Sequence, residues 1–219
     1  EEIESAKRDL DERTFQQEYL AKFVDYSGMI FYAFDFDHHV KPLPKIDTVD
    51  SRVPIRVGMD FNIDPMSAVI SIRHHDELRV IDEIVIYGSN TSEMVREIRQ
   101  RYPDRKVLVY PDATGKRSNT NSQGISDHII LSNAGFKLVT ERANPNVNDS
   151  IIAVNSAFKT DKVWIDPGCK HLIDSLSRYA YKEGTRQPDK GQGWDHMSDA
   201  IRYLIWQEIK LEHKYPHTH

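Results

Sequence analysis

Three short stretches of this sequence put carboxylates where carboxylates are costly. Val57-Gly-Met-Asp60 is a strand-like apolar run that ends on an acid, and no Lys or Arg lies between Arg56 and Arg73 to neutralise it. Lys106-Val-Leu-Val-Tyr110 is an apolar run too short for a helix, and it delivers Pro111-Asp112 at its end. Near the C-terminus, Asp195 and Asp199 stand four residues apart and His196 and Asp199 three apart, so a helix projects all three from overlapping sides of one face. A buried, unpaired carboxylate costs several kcal/mol, and clustered carboxylates repel one another. Such a set calls for a divalent cation. Oxygen ligands favour Mg²⁺ or Mn²⁺, and His196 tilts the choice toward Mn²⁺. Plainer readings stand beside this one: Asp60 capping a turn, Asp195 serving as a helix N-cap, Asp199 on a solvated face.

Two divalent ions about 4 Å apart activate a water and stabilise the leaving 3′ oxygen of a phosphodiester. Lys116 and Arg117 in one polar, glycine-led loop, and Lys182, Arg186 and Lys190 in another, bracket the acids in sequence and are candidates for contact with DNA phosphates without sequence preference. Gly115-Lys116-Arg117-Ser118 lacks the upstream glycine of a phosphate-binding loop, which argues against ATP hydrolysis by this chain. His38-His39 and His74-His75 read more simply as surface pairs than as metal ligands, since neither has helical i, i+4 spacing.

The elements that must position the acids follow from the hydrophobic pattern. Residues 1–26 carry an apolar stripe at helical spacing, and residues 35–54 degrade into His, Pro and Asp, so residues 1–54 read as a helical linker. Strand-like runs at 55–62, 67–73 and 78–87, joined by short turns, predict an antiparallel meander. Asn90-Thr-Ser-Glu93 is an N-cap signal for a helix that stops before Pro103, and the strand at 106–110 then enters in parallel. Helices are expected at 124–133, 148–159, 169–181 and 194–211, with strands at 136–140 and 162–165. The stretch 182–193 holds three glycines and should be mobile, and 212–219 reads as a disordered tail. This order is that of an α/β, RNase H-like (RuvC/integrase-like) fold, with a mixed central sheet flanked by helices over residues 55–211. In that fold Asp60, midway along the first strand, and Asp112, at the end of the fourth, lie on adjacent strands, and the last helix crosses the sheet to bring a third acid.

Composition sets the outer bounds. With 39% hydrophobic and 29% charged residues, and no apolar run near the roughly 20 residues a membrane span needs, the chain reads as globular and without a membrane partner. A single cysteine, Cys169, rules out an intramolecular disulfide and a Cys-based zinc site and fits a reducing cytosol. A net charge of −5 argues against gripping nucleic acid over the whole surface while leaving room for local basic loops. A chain that opens on Glu1 is expected to be a fragment of a longer polypeptide.

Gly58-Met-Asp60-Phe-Asn62, Tyr110-Pro-Asp112-Ala-Thr-Gly115 and Asp195-His196-Met-Ser-Asp199-Ala-Ile-Arg-Tyr203 together resemble the three motifs of the C-terminal nuclease domain of the large terminase subunit of tailed double-stranded DNA bacteriophages. Phe15-Gln-Gln-Glu18-Tyr19 through Gly28-Met-Ile-Phe31 resembles the segment joining that nuclease to the packaging ATPase. The resemblance implies a metal-dependent endonuclease that cuts concatemeric viral DNA in the cytoplasm of the infected bacterium. It also implies two Mg²⁺ or Mn²⁺ ions, Asp60, Asp112, Asp195, His196 and Asp199 as the catalytic and metal-holding set, and the ATPase domain, small terminase subunit and portal as partners of the full-length protein. Asp195 and Asp199 both remain candidates for the third ligand, with Asp199 favoured because it neighbours both of the others on the helix. A Holliday-junction resolvase or ribonuclease H shares the fold and the acids. A non-catalytic module docking on the portal or motor is the alternative from another class.

Overall fold

A computed structural model describes residues 28–116 and 125–209. The helices expected before residue 27, Arg117 with the rest of its loop, the side chain of Lys116, and the tail lie outside the described residues. Six strands form one mixed sheet in the order β5-β4-β1-β2-β3-β6. The meander is β1 (Ile55–Asp60), β2 (Met66–His74) and β3 (Glu77–Ile86), antiparallel throughout. β4 (Val107–Pro111) and β5 (Lys137–Leu138) continue the sheet in parallel beyond β1, and β6 (Val163–Ile165) closes the far edge in parallel with β3. This is the expected α/β architecture, with the strand expected at 136–140 reduced to two residues.

Successive side chains point to opposite faces of the sheet, and each face has its own core. On one side Ile55, Val57 and Met59 of β1 meet Met94 and Ile98 of α2 (Thr91–Arg101) and Leu131 of α3 (Asp127–Asn133). On the other, Val69, Leu78, Val80 and Tyr110 pack with α4 (Val147–Lys159), α5 (Lys170–Arg178) and α6 (Asp195–Glu208). A register shift between Ile70 and Ser71 skips Ile81 in the β2–β3 pairing, which explains how Leu78 and Val80 reach one face while Ile84 reaches the other. Residues 28–54, which contain the short α1 (Phe36–His39), lay Ile30 and Phe31 fully buried into the second core. No described helix is long and apolar enough to cross a membrane.

The helix that matters most for the site is held by an absence. Ile201, Leu204 and Ile205 of α6 are wholly buried, and the helix crosses β1 at Gly58. A Cβ added to Gly58 would lie 2.1 Å from the carbonyl oxygen of Ala200, so only glycine permits this approach. Close crossing there puts the first turn of α6 over the C-terminal end of β1.

Candidate functional site

Asp60 is the last residue of β1 rather than a mid-strand position, and the end of β4 lies beside it, with Met59 paired to Pro111 and the Asp112 amide donating to the Met59 carbonyl at 3.2 Å. Strand ends in a mixed sheet release their side chains into the crevice beyond the sheet. Here Asp60, Asp112 and Asp127 line one cleft of about 410 Å³. Asp127, from the first turn of α3, is buried and accepts a 2.5 Å hydrogen bond from the Thr91 hydroxyl.

Asp112 is held from several directions. Its Oδ1 accepts from the Thr114 amide and from Asn144 Nδ2, each at 2.7 Å, while Asn144 Oδ1 accepts from the Ala113 amide at 2.7 Å. His128 Nε2 adds a 2.9 Å hydrogen bond to the Asp112 carbonyl. One carboxylate oxygen is thereby committed and its orientation fixed.

From α6, His196 Nδ1 lies 3.1 Å from Asp60 Oδ2, and Asn62 Nδ2 donates to His196 Nε2 at 2.9 Å. Asn62 Nδ2 is also 3.1 Å from His196 Nδ1, so one amide and one carboxylate together fix the plane of the ring. Asp199 Oδ1 is bound by the Arg202 guanidinium, which is itself buried and donates to the Ser150 hydroxyl at 2.9 Å. Asp195 is buried, and its Oδ1 has no hydrogen-bond partner. Its Oδ2 lies 3.3 Å from Lys190 Nζ, which is also 3.9 Å from Asp199 Oδ2.

Burial dominates the electrostatics. It pushes the Asp60 carboxyl above its usual range against the hydrogen bond from His196, and the charges of Asp112 and Asp195 push the same way. Asp199 is pushed up to about 6, again by burial first, opposed by Arg202 and reinforced by Asp60. His196 rises because its hydrogen bond to Asp60 favours the imidazolium, with burial opposing. The cluster thus resists carrying all its charge without a cation.

Of the residues singled out from sequence, Asp60, Asp112, Asp195, His196 and Asp199 lie at this end of the sheet: Asp60 shares a cleft with Asp112 and touches His196, which is 3.7 Å from Asp195, while no three of the five bring ligand atoms within 4.8 Å of one another. Lys182 and Arg186 are on the hairpin before α6, and Lys190 lies on the acids themselves. That hairpin is hydrogen-bonded along its length rather than open: Lys182 N donates to the Gln187 carbonyl and Asp189 N to the Ala180 carbonyl. Sequence reasoning misses Asn62, Asp127, His128, Asn144 and Arg202. Among these Asn62 and Arg202 carry a signal, since each sits inside one of the three motifs. His39, expected on the surface, is buried against Phe158, accepting from the Asp35 amide through Nδ1 and donating to the Phe158 carbonyl through Nε2. Although His38, His39 and Asp161 bring ligand atoms within 4.8 Å of one another, His39 has both nitrogens satisfied by backbone.

The sequence matches the family model of the terminase RNaseH-like domain over residues 57–208. The terminase large subunit of Escherichia phage T5 is 25% identical over 220 residues, a match covering 94% of this chain and 48% of that protein. A large terminase from a thermophilic bacteriophage, solved in complex with ATP-gamma-S, shares the fold at TM-score 0.73 and 22% identity, over 93% of this chain and 51% of that one. The large terminase nuclease of thermophilic phage G20c, solved with bound magnesium, matches at TM-score 0.57 and 16% identity, over 84% of this chain and 99% of that one. The chain therefore spans about half the length of the T5 protein and of the terminase solved with ATP-gamma-S.

Proposed function

Because the chain belongs to the terminase RNaseH-like domain family, we propose that it is the nuclease domain of a large terminase, a Mg²⁺- or Mn²⁺-dependent endonuclease that cuts concatemeric double-stranded viral DNA during packaging. The observation that carries this reading is the gathering of Asp60, Asp112, Asp195 and Asp199 at one sheet end, with a buried Asp195 oxygen that makes no hydrogen bond and has only His196 Nε2, 3.7 Å away, beside it. A buried carboxylate oxygen without a hydrogen bond, together with two neighbours whose protonation is favoured by burial, fits a hard divalent cation better than it fits the bare protein. The magnesium bound by the G20c nuclease supports the same choice of cofactor.

Asp60, Asp112 and Asp199 would hold the metal, with Asp195 able to add its free oxygen. Divalent ions there would lower the pKa of water and offset charge on the leaving 3′ oxygen. The chain's own contribution is orientation. Asn144 and the Thr114 amide fix Asp112, while His196 aims Asp60 and is itself aimed by Asn62. Arg202 holds one oxygen of Asp199 and leaves the other facing the cluster. Lys116, Arg117, Lys182 and Arg186 would hold the duplex by its phosphates. In the full-length protein, residues 1–54 would connect to the packaging ATPase, with the small terminase subunit and the portal as further partners in the cytoplasm of the infected host.

The test is conversion of supercoiled plasmid by wild type and Asp60→Asn protein with Mg²⁺, Mn²⁺ or EDTA, alongside a four-way junction and an RNA–DNA hybrid. Metal-dependent nicking and linearisation of plasmid by wild type alone is expected. Cleavage that survives EDTA, or that Asp60→Asn performs equally well, would overturn the reading, and preference for the junction or hybrid would move the substrate assignment.

A further inference from the structure

Sequence context makes Lys190 a surface lysine in a glycine-containing loop, yet the fold seats it on the acidic site. The hairpin before α6 closes with the bridge between Tyr181 and Pro188, and Asp189 then caps a single 3₁₀ turn, Lys190–Gln192, by accepting from the Gly191 amide at 3.1 Å. Gly193, at φ 72°, reverses the chain into α6. The turn sends the Lys190 side chain back over the first turn of the helix, 3.3 Å from Asp195 Oδ2 and 3.9 Å from Asp199 Oδ2. The two sides of this contact differ in solvation. The Asp195 and Asp199 side chains are 8% and 13% exposed, whereas that of Lys190 is 65% exposed.

We propose that Lys190 is the resident cation of the metal-free site, partly neutralising Asp195 and Asp199, and that it exchanges onto the DNA backbone when duplex enters, so that DNA binding and metal loading are coupled. The proposal rests on the metal-site reading above. An ammonium suits this role, being a compact point charge on a flexible four-carbon stem, without the two-pronged geometry that would anchor a guanidinium to one carboxylate. Being mostly in water, it leaves the acids at little cost, since an exposed ion pair is weak. Beside Asp195 and Asp199 it opposes a second cation by repulsion and by engaging Asp199 Oδ2, the oxygen that Arg202 leaves to the metal. A phosphate drawn to the cleft offers Lys190 an alternative anion. Each ligand then favours the other, and linkage makes the effect reciprocal.

The experiment measures Mn²⁺ affinity by calorimetry for wild type, Lys190→Gln, Lys190→Arg and Asp60→Asn without DNA. Affinity of each protein for a short duplex across a salt series in EDTA is measured in parallel. Lys190→Gln should bind Mn²⁺ about three- to tenfold more tightly, the order expected for removing one partly solvated charge a few Å away. Lys190→Arg, which keeps the charge, should stay near wild type. The same Lys190→Gln variant should bind duplex several-fold more weakly, with a shallower salt dependence. Unchanged Mn²⁺ affinity in Lys190→Gln, while Asp60→Asn loses it, would overturn the resident-cation role and leave the metal site standing. Tighter Mn²⁺ binding with unchanged duplex binding would overturn the exchange. Equal Mn²⁺ affinity in wild type and Asp60→Asn would instead remove the metal-site reading, and this proposal with it. Matching melting temperatures in EDTA show that the variants are folded.

Discussion

Asp199 is held in surroundings that work against its charge, and the consequence is a stability that falls as the pH rises. Its carboxyl goes from an ordinary 3.8 up to about 6, chiefly because it is buried, and at 13% exposure solvent screening removes little of the effect. Between those two values the folded protein keeps a proton that the unfolded chain has already lost. The stabilisation linked to that proton is therefore full below about pH 3.8 and gone above about pH 6. A shift of roughly two units corresponds to ~3 kcal/mol over the whole range, of which about 2 kcal/mol falls between about pH 4.5 and about pH 7.5. Asp199→Asn removes this titration. Its absolute stability combines a gain from deleting a buried charge with a loss from leaving Arg202 without its partner, so the informative quantity is the slope. Urea unfolding in EDTA across that pH range should show wild type losing about 2 kcal/mol relative to the variant as the pH rises. Mn²⁺ should erase the deficit near neutral pH in wild type alone, because the ion binds the ionised carboxylate. Parallel stability curves for the two proteins would refute the argument that burial, rather than pairing with Arg202, governs this carboxylate.

Three other perturbations test separate parts of the site. Gly58→Ala places a methyl 2.1 Å from the Ala200 carbonyl oxygen, so it should cost about 1–3 kcal/mol in urea unfolding and weaken Mn²⁺ binding by lifting α6; an unchanged midpoint would contradict the close crossing. Asn144→Ala frees Asp112 from a 2.7 Å hydrogen bond and should lower metal-dependent cleavage by about 10- to 100-fold, whereas wild-type rates would make Asn144 a loop residue only. Replacing Lys116, Arg117, Lys182 and Arg186 by Ala should flatten the salt dependence of duplex binding by about one unit of slope for each lost phosphate contact, on all sequences alike. Mn²⁺ affinity should not move, and identical salt slopes would mean that these four charges are solvated surface.

The parts of the fold that can be read in the sequence are those whose causes are local. Apolar runs bounded by turn residues delimit β1, β2 and β3 to within two residues, and Asn90 caps α2 by accepting from the Glu93 amide as its motif requires. Elements whose extent depends on neighbours are less legible. β5 pairs with β4 only at Lys137 and Leu138 because it is the sheet edge, so the apolar run 136–140 yields two strand residues. α3 begins at Asp127, after its cap at Ser126, whose hydroxyl accepts from the Ile129 amide.

The same division explains which members of the site are legible. Asp60 and Asp112 stand out because each follows or ends an apolar strand, a context in which an acid demands compensation. Asp195, His196 and Asp199 stand out because their spacing fits one helical face. Asp127, Asn144 and Lys190 each carry an adequate local explanation, as a first-turn acid, a loop amide and a loop lysine, and only tertiary neighbours give them another. Asn144 reaches Asp112 across 32 residues, and Asp127 meets Thr91 across 36. Lys190 is the sharpest case, since it is only five residues from Asp195 and its sequence context still points to DNA. Its direction is set by the Asp189-capped turn and by the left-handed Gly193, and a loop composition reports the presence of glycine without the geometry it adopts. Charge alone therefore identifies an anion-binding residue. The backbone turn decides which anion it meets first, and in the metal-free protein that anion is the site's own carboxylate.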